Sequence, residues 1–321
     1  MHLGVTLLAA DDQPVGERIG PYLFWSLLVV LLLIIVWARA KVRRQAGRRP
    51  TVDEYAQQTR AVWEADPATF EPRAEHWPLA VAAPFSIENR NPWDRLDFTE
   101  LEGPRQGLAD AWAIHSRPQL LAQLHDLLRE GHRVGFAAEV RAWTDALTPP
   151  PRGDDHESDE ARWRHEQVRE NARDIRTIRF EAWDLVRAAM LTRAGYSLGW
   201  LSRAETLDTL YLVAPTLKAA YSGWHDLGHH FFTARWYWFS QGGAAMQDED
   251  NYDAGRFRSL TDTRNGPWAI VPWDLPVPAS RLLLVDSLIA EDLVPAPGIH
   301  PMTPLAEQID EAIANRLGDG E

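Results

Sequence analysis

The amino-acid sequence predicts a mainly α-helical protein, with a single N-terminal transmembrane helix followed by an α-helical cytoplasmic domain. Three observations support this fold class. An uncharged, strongly apolar run occupies residues 19–38. Apolar residues further along the chain recur at helical spacing, as in Leu120, Leu121, Leu124, Leu127 and Leu128. Residues that favour helix starts precede several of these segments.

The apolar run is long enough to cross a bilayer as a helix. At a rise of about 1.5 Å per residue, such a run reaches roughly 30 Å, the thickness of the hydrocarbon core. The segment after it is basic, with Arg39, Lys41, Arg43, Arg44, Arg48 and Arg49. An excess of Lys and Arg after the span places the N-terminus outside and the rest of the chain in the cytoplasm. We therefore expect a single-pass protein of the bacterial inner membrane, with the lipid bilayer as a partner.

A cleaved signal peptide is the alternative interpretation, because Ala38-Arg39-Ala40 has the small-x-small pattern of a processing site. Signal peptides begin with a basic region and have a shorter apolar core. Here the first Lys or Arg is Arg18, and a basic block follows the core. The chain has no Cys, which agrees with a reducing compartment and excludes disulfides and thiolate metal sites.

The charge balance argues against nucleic acid as a partner. The formal net charge is -13, although the segment after the apolar run is basic. A surface this acidic repels phosphate backbones. We therefore expect no nucleic-acid binding, and we assign the basic block to membrane topology and to attraction by anionic lipid.

These patterns divide the chain into five segments. We expect an extracytoplasmic tail over 1–20, the transmembrane helix over 21–38, and a basic juxtamembrane segment with a short helix over 39–74. A helical domain should follow over 75–275, with its core over 112–238. A C-terminal tail with an amphipathic helix should occupy 276–321.

In the first half of the domain, the pattern predicts a short helix over 51–65 and Pro-rich irregular chain over 67–104. Ser116 is the expected N-cap of a helix over 117–129, which Gly131 should end. A further helix is predicted over 134–147. Residues 149–160 are Pro-rich and then acidic, which is typical of a linker.

In the second half, residues 161–193 contain no Gly or Pro and predict one long helix, or two with a break. Ser202 and Glu205 have the spacing of a capping box, so a helix should begin there and Pro215 should divide it. An aromatic-rich helix is predicted over 224–239, and extended chain beyond Asp248. A last amphipathic helix should begin at Thr303-Pro304.

The residues with chemical potential fall in two of these helices. Asp184 and Arg187 are three apart and meet on one helical face. The candidate cluster comprises Asp184, Arg187, Arg193, Trp224, Arg235 and Trp238. One interpretation is structural, with Trp side chains filling core and Asp184 paired to an Arg. The other is an anion site, since the Arg fork matches a carboxylate or phosphate.

At these positions the chain resembles a bacterial family of unknown function, DUF1266. The matching segments are Trp183-Asp184-Leu185-Val186-Arg187, then Arg193, Gly199-Trp200-Leu201-Ser202, Trp224 and Arg235-Trp236-Tyr237-Trp238, with Trp112 to Arg117 and Gly131-His132-Arg133 upstream. The resemblance covers about residues 112–238 and implies a helical fold. It implies no established activity.

A second hypothesis rests on His225-Asp226-Leu227-Gly228-His229, which is similar to the His-Asp step of metal-dependent phosphohydrolases. Adjacent His and Asp ligands can hold a divalent metal that activates water. His225 and His229, four residues apart, could also share one metal on a helix face. The upstream His would have to be His165 or His132, and the spacing singles out neither.

Taken together, the sequence favours a membrane-anchored, non-enzymatic interaction or scaffold module at the cytoplasmic face. It indicates no cofactor and leaves the catalytic residues, if any, unknown. The partner would be a membrane or cytoplasmic protein. The alternative is a metal-dependent phosphohydrolase that uses the His225-Asp226 step.

Overall fold

The computed structural model describes residues 49–146, 150, 156–239, 243–294 and 303–318. Within these ranges there are fourteen α-helices, and the only β-pairing is an isolated bridge between Val62 and Pro92. The helices are α1 Val52–Gln58, α2 His76–Glu88, α3 Glu102–Trp112, α4 Arg117–Arg129, α5 Gly131–Thr144, α6 His156–Glu170, α7 Glu181–Ser197, α8 Arg203–Leu212, α9 Ala214–Ala220, α10 Trp224–Phe239, α11 Gly243–Leu260, α12 Pro267–Ile270, α13 Leu283–Ala290 and α14 Pro304–Gly318. A 3-10 helix, Ala172–Thr177, lies between α6 and α7. The prediction of a mainly helical chain is therefore confirmed.

Helix α7 lies at the centre of the packing. It contacts α2, α4, α5, α8, α9 and α10. Nearly all of its residues are buried, and these include the charged side chains of Asp184, Arg187 and Arg193. A helix that is surrounded on all sides must satisfy its polar groups internally, because water cannot reach them. The candidate site is built on this helix.

Helix α2 corrects the prediction of irregular chain over 67–104. It is buried on almost every side, with Trp77 and Ile87 fully enclosed. Its residues are apolar on every face, so the sequence lacks the alternation of apolar and polar residues that indicates a surface helix. Pro78 and Pro84, which are uncommon inside helices, also argued against a helix here. Pro78 lies in the first turn, where the missing N–H costs nothing.

Helix α11 corrects the prediction of extended chain beyond Asp248. It continues to Leu260 and packs closely against α1, where a Cβ at Gly255 would lie 2.9 Å from the backbone nitrogen of Ala56. Its sequence is strongly polar and shows no apolar stripe. It is held instead by ion pairs that bury Arg256 and Asp253.

Several helix boundaries agree with the sequence. The capping box at Ser202 and Glu205 is present, and Pro215 lies at the start of α9, separate from α8. Helix α4 spans Arg117–Arg129 as predicted, although the Ser116 hydroxyl bonds the Gln119 side chain instead of capping the backbone. Residues 161–193 form two helices with a break.

Other boundaries differ from the prediction. The helix predicted over 51–65 stops at Gln58, and α5 begins three residues earlier than the predicted start at 134 and ends at Thr144. Helix α14 begins after Thr303, whose side chain accepts a hydrogen bond from the amide of Ala306. It packs on α4 and α13, so the helix predicted for the C-terminal tail is part of the folded unit.

No helix in the described ranges combines the length and the apolar character that crossing a membrane requires. The tail predicted over 1–20 and the transmembrane helix predicted over 21–38 lie outside the described residues.

Candidate functional site

Asp184 joins two helices at the base of the site. Its side chain is fully buried on α7 and accepts hydrogen bonds from the backbone amides of His132 and Arg133, both at 3.0 Å. The guanidinium groups of Arg133 and Arg187 donate to the same carboxylate at 3.1 and 2.6 Å. These four bonds occupy the acceptor positions that a carboxylate offers. Asp184 therefore caps the first turn of α5 and has a structural role.

Arg187 is only partly satisfied by this pairing. Its side chain is 5% exposed, and its guanidinium donates to Asp184 and, at 3.1 Å, to the carbonyl of Trp183. The charge lies 4.6 Å from the ring centre of Trp183 and 5.3 Å from that of Trp112. No described residue accepts a hydrogen bond from its Nη1 atom. Burial lowers the pKa of Arg187, yet an arginine keeps its proton at neutral pH.

Arg235 on α10 is in a similar position. Its side chain is 7% exposed, and its Nη1 donates to Glu249 and Asp253 on α11, both at 2.9 Å. Nε and Nη2 have no acceptor within the described ranges. Burial opposes the charge of Arg235, but nearby carboxylates, Asp253 foremost, outweigh burial and raise its pKa. Arg235 therefore stays cationic, and two of its nitrogens are unpaired among the described residues.

Both guanidinium groups line one cavity of about 550 Å³. We call this the arginine cavity and define it by Trp112, His132, Trp183, Arg187, Arg235 and Trp238. Its acidic lining residues are Glu88 and Asp110. The volume lies within the range of roughly 300–1,000 Å³ that small-molecule sites occupy. The cavity thus brings together three residues of the predicted cluster, namely Arg187, Arg235 and Trp238.

His132 forms part of the aromatic wall of this cavity. Its ring centre lies 4.0 Å from that of Trp238, which is 38% exposed. Burial, reinforced by the charge of Arg187, lowers the pKa of His132 to about 4. The imidazole is therefore neutral at pH 7, and the positive charge of the cavity comes from the two arginines.

Arg193 and Trp224, the other predicted members, lie away from the cavity lining. Arg193 donates to the backbone carbonyls of Pro92, Arg95 and Leu96 and to the hydroxyl of Ser86, so it holds the chain after α2 against α7. Trp224 stacks on Trp268 and donates to a backbone carbonyl at 2.7 Å. Both are buried in the core.

The proposed metal ligands have ordinary surroundings. His225 is exposed and contacts the ring of Phe257, and His229 is exposed on the next turn. Asp226 accepts hydrogen bonds from the amide and hydroxyl of Ser222. Across the described part of the chain, no group of three or more His, Asp or Glu side chains is placed to hold a metal. The metal site over His225, Asp226 and His229 stays a prediction that no geometry supports.

Four acidic residues at or near the cavity were missed by sequence reasoning, and one of them, Asp110, lies on α3. Glu88 comes from α2, which the sequence concealed, and Glu249 and Asp253 come from the missed helix α11. One signal was available. Asp253 and Arg256 repeat the Asp-x-x-Arg spacing of Asp184 and Arg187, and they form an ion pair of 3.4 Å. That spacing in a polar stretch could have indicated a helix with a buried pair.

Comparison with known proteins agrees with this helical core. A family model described as "Protein of unknown function (DUF1266)" matches residues 107–273, which include all six residues that define the arginine cavity. The uncharacterized protein YbeU of Escherichia coli (strain K12) is 24% identical over 227 residues, covering 61% of this chain and 88% of YbeU. No solved structure matches the chain significantly. Because the family model covers more than half of the chain, the protein belongs to the DUF1266 family, whose function is unknown.

Proposed function

We propose that this chain is a non-enzymatic binding module whose arginine cavity holds an anionic group, a carboxylate or a phosphate. The observation that carries the proposal is the pair of buried guanidinium groups that keep unpaired N–H donors in an aromatic-walled cavity. An anion in the cavity would accept charge-assisted hydrogen bonds from these donors, which are about twice as strong as bonds between neutral groups.

The net negative charge of the molecule means that anions are repelled from most of its surface and attracted only where positive charge is concentrated. With a net charge of -13, the surface as a whole repels anions. Arg187 and Arg235 supply a local exception inside a partly enclosed space, where charge-assisted hydrogen bonds are stronger than in water. Asp184 is fully engaged and offers no oxygen to a reaction. Binding therefore accounts for the geometry better than catalysis does.

The test uses the full chain labelled with 5-fluorotryptophan and followed by ¹⁹F NMR. Trp→Phe variants assign the signals of Trp112, Trp183 and Trp238, which line the cavity. Titration with sodium phosphate or sodium acetate against sodium chloride, at constant ionic strength, should shift these signals and leave the Trp268 signal unchanged. Equal shifts at Trp268, or none at the cavity signals, would overturn the proposal.

Two variants of opposite expected sign sharpen the test. Arg187→Lys keeps the charge but removes the fork, so anion affinity should fall at least tenfold. Asp110→Asn removes an exposed carboxylate from the cavity lining, so affinity should rise severalfold. Glu311→Gln, which neutralises an exposed carboxylate on α14, is the matched control and should leave affinity unchanged. Urea unfolding midpoints check that each variant folds.

We further propose that residues 21–38 anchor this module at the cytoplasmic face of the inner membrane. The uncharged run and the basic block after it support the anchor and its orientation. After washing with sodium carbonate, the full chain should stay with the membranes, and intact spheroplasts should protect the region beyond Arg49 from added protease. Recovery in the soluble fraction would contradict the anchor.

A paired substitution separates the anchor from other membrane contacts. Replacing Leu31 and Leu33 with Arg should release the chain, because each central Arg costs about 2.5–3.5 kcal/mol on insertion scales. Replacing the same two residues with Ala is the control and should leave the chain in the membrane. The anchor would also place the module beside its proposed protein partners, since tethering raises effective concentration.

A further inference from the structure

We infer that the anion bound in the arginine cavity carries one extended apolar chain, so that the ligand is a single-chain anionic amphiphile of the fatty-acid type. This inference rests on the proposed anion site and names its ligand class. It is carried by a second, mainly apolar cavity that shares a wall with the first.

The second cavity has a volume of about 460 Å³. We call it the glycine cavity, after Gly103 and Gly107 of α3, which line it. Its apolar lining comes from Phe85, Phe98, Leu108, Trp112, Met190 and Ala194. Its charged lining residues, Arg90 and Glu100, are exposed and lie where the cavity meets solvent. An apolar space of this size suits a hydrocarbon group better than a polar one.

The two cavities lie side by side along one face of α7. Phe85, Trp112 and Met190 line both of them. On α7, Trp183 and Arg187 line only the arginine cavity, Met190 lines both, and Ala194 lines only the glycine cavity. These residues are spaced by four, three and four, which places them on one helical face.

The helix sets the shape of a ligand that occupies both cavities. Seven residues separate Arg187 from Ala194, and at about 1.5 Å per residue their Cα atoms lie roughly 10 Å apart along the axis. A compact anion reaches only the guanidinium groups. A ligand that also fills the glycine cavity must be elongated, with its charge at one end and hydrocarbon along the rest.

The two glycines of α3 support this assignment. A Cβ at Gly103 or at Gly107 would meet no atom within 4 Å, so close packing does not require either glycine. The contrast is Gly255, which is pressed against α1. Both glycines are exposed and line the glycine cavity, which is therefore open beside its apolar wall at these two positions. The second, independent feature is the buried Arg187 with its unpaired Nη1 at the other end.

The experiment is photoaffinity labelling of the full chain with a dodecanoate that carries a diazirine near the end of its tail. Labelled residues are located by mass spectrometry and are expected in α3, between Gly103 and Leu108, and at Met190 or Ala194. Labels concentrated around Arg187 and Trp238 would mean that the chain binds in the reverse direction, with its carboxylate at Arg90, and would overturn the inference.

Competition and titration test the carboxylate and the hydrocarbon chain of the ligand separately. Unlabelled dodecanoate should abolish labelling. Dodecyl maltoside, which has the same chain without the charge, should compete at least tenfold less well. Affinity from the ¹⁹F titration should rise by about fourfold for each CH₂ group buried, so octanoate should bind at least 100-fold more tightly than acetate.

Filling the glycine cavity should block the chain without removing the anion site. Gly107→Leu puts a side chain into the open space and should reduce labelling at least tenfold while acetate still binds. Gly135→Leu is the matched control, because Gly135 is also an exposed helical glycine with open space around it but lines neither cavity. Both substitutions favour the helix, so unfolding midpoints should not fall.

The outcomes separate this inference from the proposed function. If acetate shifts the cavity signals but octanoate binds no more tightly than acetate, the anion site stands and the amphiphile is excluded. If neither shifts the signals, both proposals fail. If Gly135→Leu lowers labelling as much as Gly107→Leu does, the labelled site is not the glycine cavity and the inference fails.

Discussion

Gly131 is the first residue of α5, with a φ of +55°, and its Cα faces the carboxylate of Asp184. A Cβ at this position would meet both the carboxyl carbon and an oxygen of Asp184. The residue must therefore be glycine for two reasons, since the backbone is left-handed and the space is taken by the group that caps α5. The sequence alone indicated only the left-handed backbone at the end of α4.

We expect Gly131→Ala to destabilise the protein by about 2–4 kcal/mol. The left-handed backbone accounts for about 1–2 kcal/mol, and displacement of the Asp184 carboxylate from its four hydrogen bonds accounts for the rest. Urea unfolding measures the effect. Gly135→Ala in the same helix is the control and should be neutral or stabilising. Equal effects at the two positions would show that Asp184 does not hold α5.

His132, the next residue, predicts a pH dependence of stability. Its pKa is about 4 in the folded chain against 6.5 for an ordinary histidine, mainly because burial disfavours the charged form. The unfolded chain therefore takes up a proton between pH 6.5 and 4 that the folded chain does not. Stability is present above pH 6.5 and falls by about 2–3 kcal/mol as the pH drops to 4.

Comparison with His132→Phe isolates this contribution. The variant keeps a ring against Trp238 but cannot titrate. Other groups contribute to the profile, and Asp253, whose pKa burial raises to about 6, has the opposite sign in this range. The difference between wild type and variant removes their effects. That difference, from urea unfolding at pH 7 and pH 4, should change by about 2–3 kcal/mol in favour of the variant, and a constant difference would refute the assignment.

At the scale of the elements, helix α3 lines both cavities and ends in an unusual cap. Its C-cap, Ala113, has a left-handed backbone with φ of 53° and ψ of 31°, a position where glycine is normal. The amide of Ala113 still closes the helix by donating to Ala109 at 3.1 Å. The helix is therefore closed by its normal hydrogen bond, and the Cβ of Ala113 is the cause of strain in the left-handed backbone.

Ala113→Gly should therefore stabilise the protein by about 0.5–1 kcal/mol. Glycine relieves the left-handed conformation, and the greater freedom of the unfolded chain offsets part of the gain. Ala109→Gly, within the same helix, is the control with the opposite sign and should cost about 0.5–1 kcal/mol. Thermal unfolding of the three proteins measures both. A loss at Ala113 would mean that its methyl group makes a contact that outweighs the strain.

At the scale of the whole molecule, charges tie helices that are distant in sequence. Arg256 on α11 is fully buried and pairs with Glu88 of α2 at 3.0 Å, while Asp253 bridges Arg256 and Arg235. The same principle extends to the C-terminal end. Arg129 of α4, 7% exposed, forms a fork with Asp310 of α14 at 3.0 and 2.9 Å. Helix α14 is thus tied to α4 by a buried arginine.

Ile309→Ala should cost about 2–5 kcal/mol, because Ile309 is completely buried where α14 packs on the rest of the molecule. Leu317→Ala on the same helix is the matched control and should change stability by less than about 0.5 kcal/mol, since Leu317 is 49% exposed. Urea unfolding of both variants compares them. Equal small effects would show that α14 does not contribute to the cooperative core.

Features that depend on neighbours within a turn or two were predictable from the chain. The capping box at Ser202, the start of α9 at Pro215, and the pairing of Asp184 with Arg187 all follow from residues three or four apart. The class of fold and the family followed in the same way. Of the candidate cluster, Arg187, Arg235 and Trp238 line one cavity, and Asp184, Arg193 and Trp224 are not among its lining residues.

Tertiary packing alone decided the rest. Helix α2 is apolar on every face and α11 is polar along its length, so neither shows the apolar period that marks an amphipathic helix. The bond from Arg256 to the carbonyl of Pro84 joins residues 172 positions apart, and Asp184 reaches His132 across 52. Such contacts have no local signature. The two adjoining cavities arise from them, because a cavity is the space that several distant helices leave between them.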